Sequence, residues 1–281
     1  MKKKQRENKI VTVIQARAGS TRLPNKIFLP LAGESLLFRI YERIKLSGAT
    51  GTVFIAIPNE PSDDPVEQFC IEKKIPVFRG DTFDLLDRHY KAALKFNADA
   101  IVKIPSDCPL IDPNVITKVI SYYLDHIENF DYVSNLHPAT YPDGNDVEIM
   151  SLQALKKAWE NAKKPFERVH TTPYFWENQN QFRIGNVKWE IGFDYSMTHR
   201  WTIDYYEDYL FIKAIYDVLY NQNPAFGIDD ILKLVSQKPE LMKINEMYAG
   251  VNWYRNHLNE LKTIFAEQTK VSSSVSSSSS L

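Results

Sequence analysis

The run Ile10-Val-Thr-Val-Ile-Gln-Ala-Arg-Ala-Gly-Ser-Thr-Arg-Leu-Pro-Asn-Lys26 decides how this chain is read. Its first five residues, Ile10 to Ile14, are all β-branched, the composition of a strand buried on both faces of a parallel sheet. The chain then turns small through Ala16, Ala18, Gly19 and Ser20, and three cations follow: Arg17, Arg22 and Lys26. No acid lies between Glu7 and Glu34. A small-residue loop at the carboxyl end of a strand leaves backbone N–H groups free for phosphate oxygens. Three unopposed cations add charge that a polyanion would use fully, although a solvated basic loop has the same composition.

Outward from this loop the chain alternates. Ser35–Leu46 carries Leu36, Leu37, Ile40, Tyr41 and Ile44 on one helical face, with Ser35 as N-cap and Gly48 beyond its end. Strands are predicted at 52–57, 76–78, 100–104 and 131–134, with helices at 64–73, 83–96 and 114–127 between them. Short strand–helix alternation means βαβ units and a mainly parallel sheet. Ligands on such sheets gather outside the carboxyl ends of the strands. The turns at Gln15–Lys26, Arg79–Asp81 and Ser106–Asp107 are therefore expected to converge. The later half departs from the alternation. A strand is expected at 147–150, helices at 151–161, 166–177, 205–220, 226–235 and 253–265, a half-exposed antiparallel strand at 182–191 and a short apolar piece at 201–203. The serine-rich end, 267–281, is expected to stay disordered.

Composition narrows the function classes. The 281 residues are 44% hydrophobic with a net charge of −1, which speaks against a general nucleic-acid binder or a membrane-surface protein. Two cysteines, Cys70 and Cys108, form no CxxC, and the six histidines show no zinc spacing. The basic start, Met1 to Asn8, leads into a strand rather than a signal peptide, so a cytoplasmic protein is expected. No nucleophile elbow is present.

Carboxylates at strand ends are the candidate chemistry. Asp107, in Ile104-Pro-Ser-Asp-Cys-Pro-Leu-Ile111, is placed to hold Mg²⁺, a hard cation content with one or two protein carboxylates; an Asx turn before Pro109 fits the same residues. Asp204, in Arg200-Trp-Thr-Ile-Asp-Tyr-Tyr-Glu-Asp208, is a second candidate and also a natural helix N-cap. Arg88 stands four residues after Asp84, the spacing of a surface ion pair. Asp146 and Glu148 lie on one face of an extended segment, where they would bind sugar hydroxyls or a metal, or form a solvated edge. Arg168, His199 and Arg200 are candidate anchors for an acidic acceptor.

The loop Gln15-Ala16-Arg17, Ser20, Arg22-Leu23-Pro24 and Lys26 resembles the signature of the sugar cytidylyltransferases that activate Kdo and sialic acids, and above all the SpsF-like spore-coat polysaccharide family. Val77–Tyr90 is similar to that family's "R-G-x-x-x-D-V-L-x-R" stretch, Asp107 to its "D-x-P-L" turn, Ile203-Asp204 and Asp208 to a late "I-D-x-x-x-D" segment, and Asp146-Val-Glu148 to a "D-V-E" segment. A further "E-H-V-T-P-Y" stretch is matched with its histidine shifted to His170. The resemblance implies a Rossmann-like nucleotide-diphosphosugar-transferase fold over 9–266 with an α+β appendage: 9–135 would bind nucleotide, and 136–266 the acceptor. It implies transfer of CMP from CTP to an acidic or phosphorylated sugar, in surface polysaccharide or glycoconjugate biosynthesis. Gln15, Ala16, Arg17, Gly19, Ser20, Arg79, Gly80, Arg88 and Ser106 would hold the nucleotide; Arg22, Lys26 and Asp107 would be catalytic; Asp107 and Asp204 would hold Mg²⁺. Asp146, Glu148, Arg168, His170 and Arg200 would meet the acceptor, and related enzymes are often homodimers. A nucleotide-sugar-dependent glycosyltransferase, which usually carries a D-x-D pair absent from Asp107-Cys108-Pro109, and a non-catalytic binding module are the alternatives.

Overall fold

The computed structural model describes residues 8–49 and 51–271. The expected disorder of 272–281 and the basic run at 1–7 lie outside the described residues. In chain order the elements are β1 (Ile10–Gln15), a two-residue hairpin of β2 (Pro30–Leu31) and β3 (Glu34–Ser35), α1 (Leu36–Leu46), β4 (Thr52–Pro58), α2 (Asp64–Glu72), β5 (Val77–Gly80), α3 (Leu85–Lys95), β6 (Ala100–Pro105), α4 (Pro113–Asp125) and β7 (Tyr132–Ser134). There follow β8 (Glu148–Ser151), α5 (Leu152–Asn161), α6 (Pro165–His170), α7 (Pro173–Trp176), β9 (Ile184–Asn186), α8 (Tyr206–Leu219) and α9 (Ile228–Gln237).

Seven strands form one sheet in the order β5-β4-β1-β6-β8-β7-β9. The first four are mutually parallel, β8 is antiparallel to both β6 and β7, and β9 is parallel to β7. The sheet is mainly parallel, with β1 between β4 and β6. Alternation along β1 feeds two cores: Ile10 and Ile14 face α1, α4, α8 and α9, whereas Val11 and Val13 face α3, α5 and α7. Both sets are almost fully buried, which is why the strand reads as continuously apolar. Ser35 caps α1 by accepting from the Phe38 N–H at 3.2 Å, and Asp84 caps α3 by accepting from the Asp87 N–H at 2.9 Å.

The later half differs from its periodicity in four places. The helix expected over 166–177 is two short pieces, broken where Thr171 takes a left-handed φ of 71° and Thr172 precedes Pro173. The strand expected over 182–191 shrinks to β9, and it pairs with β7 in parallel rather than antiparallel. The helix expected over 253–265 is a 3₁₀ turn at Trp253–Asn256 followed by irregular chain. Leu261 and Ile264 are buried there, and the Glu177 carboxylate accepts from the Lys262 and Thr263 N–H groups. The ordered chain also runs past 266: Thr269 is buried, and the Lys270 N–H donates to the Gly250 carbonyl at 2.7 Å. Among the described residues no helix is long and apolar enough to cross a membrane.

Candidate active site

The loop after β1 is tied at its base and open at its tip. The Ala16 N–H donates to the Ala56 carbonyl at 3.0 Å, and the Ala18 N–H donates to the buried Asp63 carboxylate at 2.7 Å. Among the described residues, the N–H groups of Arg17 and Gly19 make no hydrogen bond. The Gln15 side-chain oxygen is buried at the mouth of the loop without a partner. Arg17 and Arg22 are exposed, Ser20 is half-buried, and a 3₁₀ turn at Lys26–Phe28 brings Lys26 back beneath the loop.

Lys26 is where the distant segments meet. Its Nζ donates to the Ile203 carbonyl at 2.6 Å and to Asp204 Oδ1 at 3.2 Å, and lies 3.9 Å from Asp107 Oδ2. The two carboxylates therefore flank one ammonium, their nearest oxygens no further apart than those two distances together. Arg22 joins from the exposed side, 2.6 Å from Asp204 Oδ1, with its guanidinium 5.4 Å from the Tyr205 ring centre. Burial would raise the Asp204 carboxyl, but Lys26 and Arg22 hold it below the usual range. Asp204 is not a helix cap: Asp208 does that work, accepting from the Asp204 and Tyr205 N–H groups at 2.9 and 3.0 Å.

Main-chain contacts fix this arrangement. The Ile203 N–H and the Thr202 hydroxyl both donate to the Asp107 carbonyl, at 2.9 and 3.0 Å. Trp201 N–H donates to Asp143 O, and Asp143 N–H to His199 O. Gly144, at φ 106°, lies so close to this seam that a Cβ would stand 2.7 Å from the Trp201 carbonyl carbon. The Ser106 N–H donates to the Gln15 carbonyl at 3.2 Å, joining the Asp107 turn to β1. Asp143 and Asp146 complete an acidic rim. Burial and each other's neighbours, with Asp107 prominent, push Asp146 up to about 7 and Asp143 well above the carboxylate range. Cys108 is buried and its thiol is pushed up by desolvation, in keeping with no redox role.

Several candidate residues are spent elsewhere. Arg79 lies within β5 and pairs with Glu67 at 2.9 Å and Asp64 at 2.5 Å, bracing α2. Arg88 is buried and does not pair with Asp84; it donates to the Asp81 and Thr82 carbonyls and closes the turn after β5. Its stem lies against Gly80, where a Cβ would meet the Arg88 Cγ at 2.6 Å, so the Arg-Gly pattern here serves a close packing. Arg168 binds Asp84 and the Trp159 carbonyl, tying α6 to the start of α3. Arg200 is 2% exposed and fully engaged: Asp208 at 2.9 and 3.0 Å, Asp204 at 3.3 Å and the Val251 carbonyl at 2.7 Å. His199 stacks on Tyr195 at 4.2 Å and His170 on Trp253 at 3.8 Å. Glu148 stands inside β8, bound by Lys103 and by the Tyr132 hydroxyl at 2.5 Å.

Sequence reasoning passed over Asp63, Asp143, Lys103 and Tyr205. Asp63 reads as a cap before Asp64-Pro65, and Asp143 as turn chemistry before Gly144. Lys103 is the one signal that was available: a charge inside the apolar run Ala100–Ile104.

A mainly parallel sheet whose carboxyl edge gathers a basic loop, the Asp107 turn after β6 and Asp204 from an irregular segment before α8 has its ligand site at that edge. The chain belongs to the cytidylyltransferase family, whose model matches residues 11–262. It is 34% identical over 242 residues to an uncharacterized protein of Methanocaldococcus jannaschii, covering 84% of this chain and 94% of that one. It is 28% identical over 244 residues to the spore coat polysaccharide biosynthesis protein SpsF of Bacillus subtilis, covering 83% and 96%. The solved structure of a cytidylyltransferase from Leptospira borgpetersenii superposes with a TM-score of 0.79 at 33% identity, over 84% of this chain and 97% of that one. The protein is a nucleotidyltransferase, and the glycosyltransferase and binding-module alternatives fall away.

Proposed function

We propose that this enzyme transfers CMP from CTP to an acidic sugar, releasing pyrophosphate, in the assembly of a surface polysaccharide or glycoconjugate. The observation that carries the reading is Lys26, seated between Asp107 and Asp204 beneath a loop with free amides. An acceptor oxygen bonds to the α-phosphorus as the α–β bridging P–O bond breaks, and the hydroxyl proton passes to water. Such transfer needs positioning and neutralised charge more than covalent help. The amides of Arg17 and Gly19 receive phosphate oxygens; Arg22 and Lys26 offset charge on the departing pyrophosphate. The unpartnered Gln15 oxygen is an acceptor ready for the exocyclic amine of cytosine.

The donor set fits a hard divalent cation. Asp107 and Asp204 converge, and Asp143 and Asp146 are crowded enough to resist ionising together. Mg²⁺ held by Asp107 and Asp204 would supply Lewis-acid neutralisation of phosphate oxygens. The SpsF relative supports the polysaccharide role. Exposed Ile191 and Phe193 in the later half support a homodimer through that half, checked by light scattering.

CTP with Mg²⁺ is expected to raise the melting temperature more than ATP, GTP or UTP, by mass action on the native state. A larger rise with UTP or GTP would sink the base assignment. Pyrophosphate release across a panel of sugar acids and phosphorylated sugars then identifies the acceptor.

A further inference from the structure

We propose that Lys103 selects the acceptor: its ammonium, braced by Glu148, takes the anionic group of the sugar. This rests on the reading of transfer from CTP to a sugar acid given above. Lys103 lies on β6, in the middle of the sheet, on the same face as the buried Ile101. A lysine there costs desolvation, and Glu148, its register partner on β8, offsets the charge.

The pair is lopsided in a way that points to a ligand. Both Glu148 oxygens are already engaged, one by Lys103 and the other by the Tyr132 hydroxyl, and the Thr172 side chain also bonds to the carboxylate. Lys103 has three N–H groups and donates to one oxygen. Its side chain keeps 15% of its exposure, against 3% for Glu148. The group open to a newcomer is therefore the ammonium. Asp107 and Asp146 both lie near enough to act on it electrostatically.

The surroundings suit a sugar. His137 stacks on Trp176 at 4.4 Å and His170 on Trp253 at 3.8 Å, and Tyr254 lies in the field of Glu148, Asp146 and Asp143. Half-buried aromatic faces with a few placed polar groups are the usual lining of a small-molecule site. Trp176 Nε1–H, in a ring 1% exposed, has no hydrogen-bond partner among the described residues. Arg168 and Arg200, the expected anchors, are consumed by Asp84 and Asp208.

The test is calorimetric titration of the intact protein with Kdo and N-acetylneuraminate as acid probes and mannose as the neutral one, with and without CTP and Mg²⁺. Lys103→Met is expected to weaken acid binding by about 30-fold or more, while Lys103→Arg stays within about fivefold of wild type. CTP affinity should be the same in all. Should Lys103→Met fold poorly, Lys103→Met with Glu148→Leu removes both charges at once and should fold while losing the acid. Wild-type affinity for the acids in that double variant overturns the assignment. So does a wild-type protein that binds mannose as well as the acids, or a CTP affinity that falls with Lys103. Failure of wild type to bind CTP would count against the transfer reading instead, and the titrations run without CTP keep the two results apart.

Discussion

The two sides of the crevice use the same residue types to opposite ends. On the side proposed to hold the nucleotide, Arg22 keeps 48% of its side-chain exposure and, among the described residues, makes one ion pair, and Arg17 is open to solvent. On the side proposed to meet the acceptor, Arg200 is buried under four hydrogen bonds to three partners and Arg168 is clamped to Asp84. A cation with spare donors at the surface can serve a phosphate; one held by several hydrogen bonds inside the protein is part of the frame. The difference teaches that an arginine near a site is not thereby in it, and mutation separates the two cases.

Arg200→Met should produce the largest effect on stability. It strands Asp208, which is fully buried, together with Asp204 and Asp143, and should lower unfolding free energy by about 3–5 kcal/mol in urea denaturation. A loss under 1 kcal/mol would erase the distinction drawn here. Lys26→Ala is the mirror case. Turnover should fall roughly 100- to 1000-fold, about 2.7–4 kcal/mol of transition-state stabilisation, with the melting temperature changed far less. Arg22→Ala should follow in the same direction and more weakly, since its guanidinium is more exposed.

A smaller effect concerns pH. His89 is fully buried, and burial pushes its imidazole down to about 3, with Nδ1 on the Leu85 carbonyl. The folded state holds it neutral, so its share of stability is whole above pH 6.5 and is lost as pH falls from there toward 3. At pH 5 the loss is about 2 kcal/mol. His89→Gln should flatten the fall in melting temperature between pH 7 and 5 relative to wild type; an unchanged slope would mean the histidine titrates normally. Smallest of all, Arg79→Ala should cost under about 1 kcal/mol of stability and leave CTP affinity unchanged, because its partners Asp64 and Glu67 are largely exposed. A tenfold loss of CTP affinity would return Arg79 to the nucleotide site.

The same contrast explains how far the sequence could be read. The parallel half was legible because its strands are buried on both faces and its helices carry local signals, as at Ser35 and the Ile40–Ile44 stripe. In the later half the apolar spacing at Trp253, Leu258, Leu261 and Ile264 looks helical, yet those side chains fill a sheet face from irregular chain pinned by Glu177. Periodicity reports burial, not the backbone that delivers it. The site residues divide likewise. Asp107, Asp204 and Lys26 announced themselves by their position after strands. That Arg79, Arg168 and Arg200 are neutralised depends on acids 12, 84 and 8 positions away. No local pattern carries that information.

The seam between residues 143, 107 and 203 has a consequence for rebuilding the enzyme. Its core is made of carbonyls and N–H groups, with the Thr202 hydroxyl and the missing Cβ of Gly144 serving it directly and Lys26, Arg200 and Asn245 bracing it. Backbone atoms are common to every residue, so the side chains proposed to face the acceptor can be exchanged while this backbone seam stays in place. A library that varies His137, His170, Trp253 and Tyr254 while keeping Gly144 can explore new sugars without moving the carboxylates that the chemistry needs.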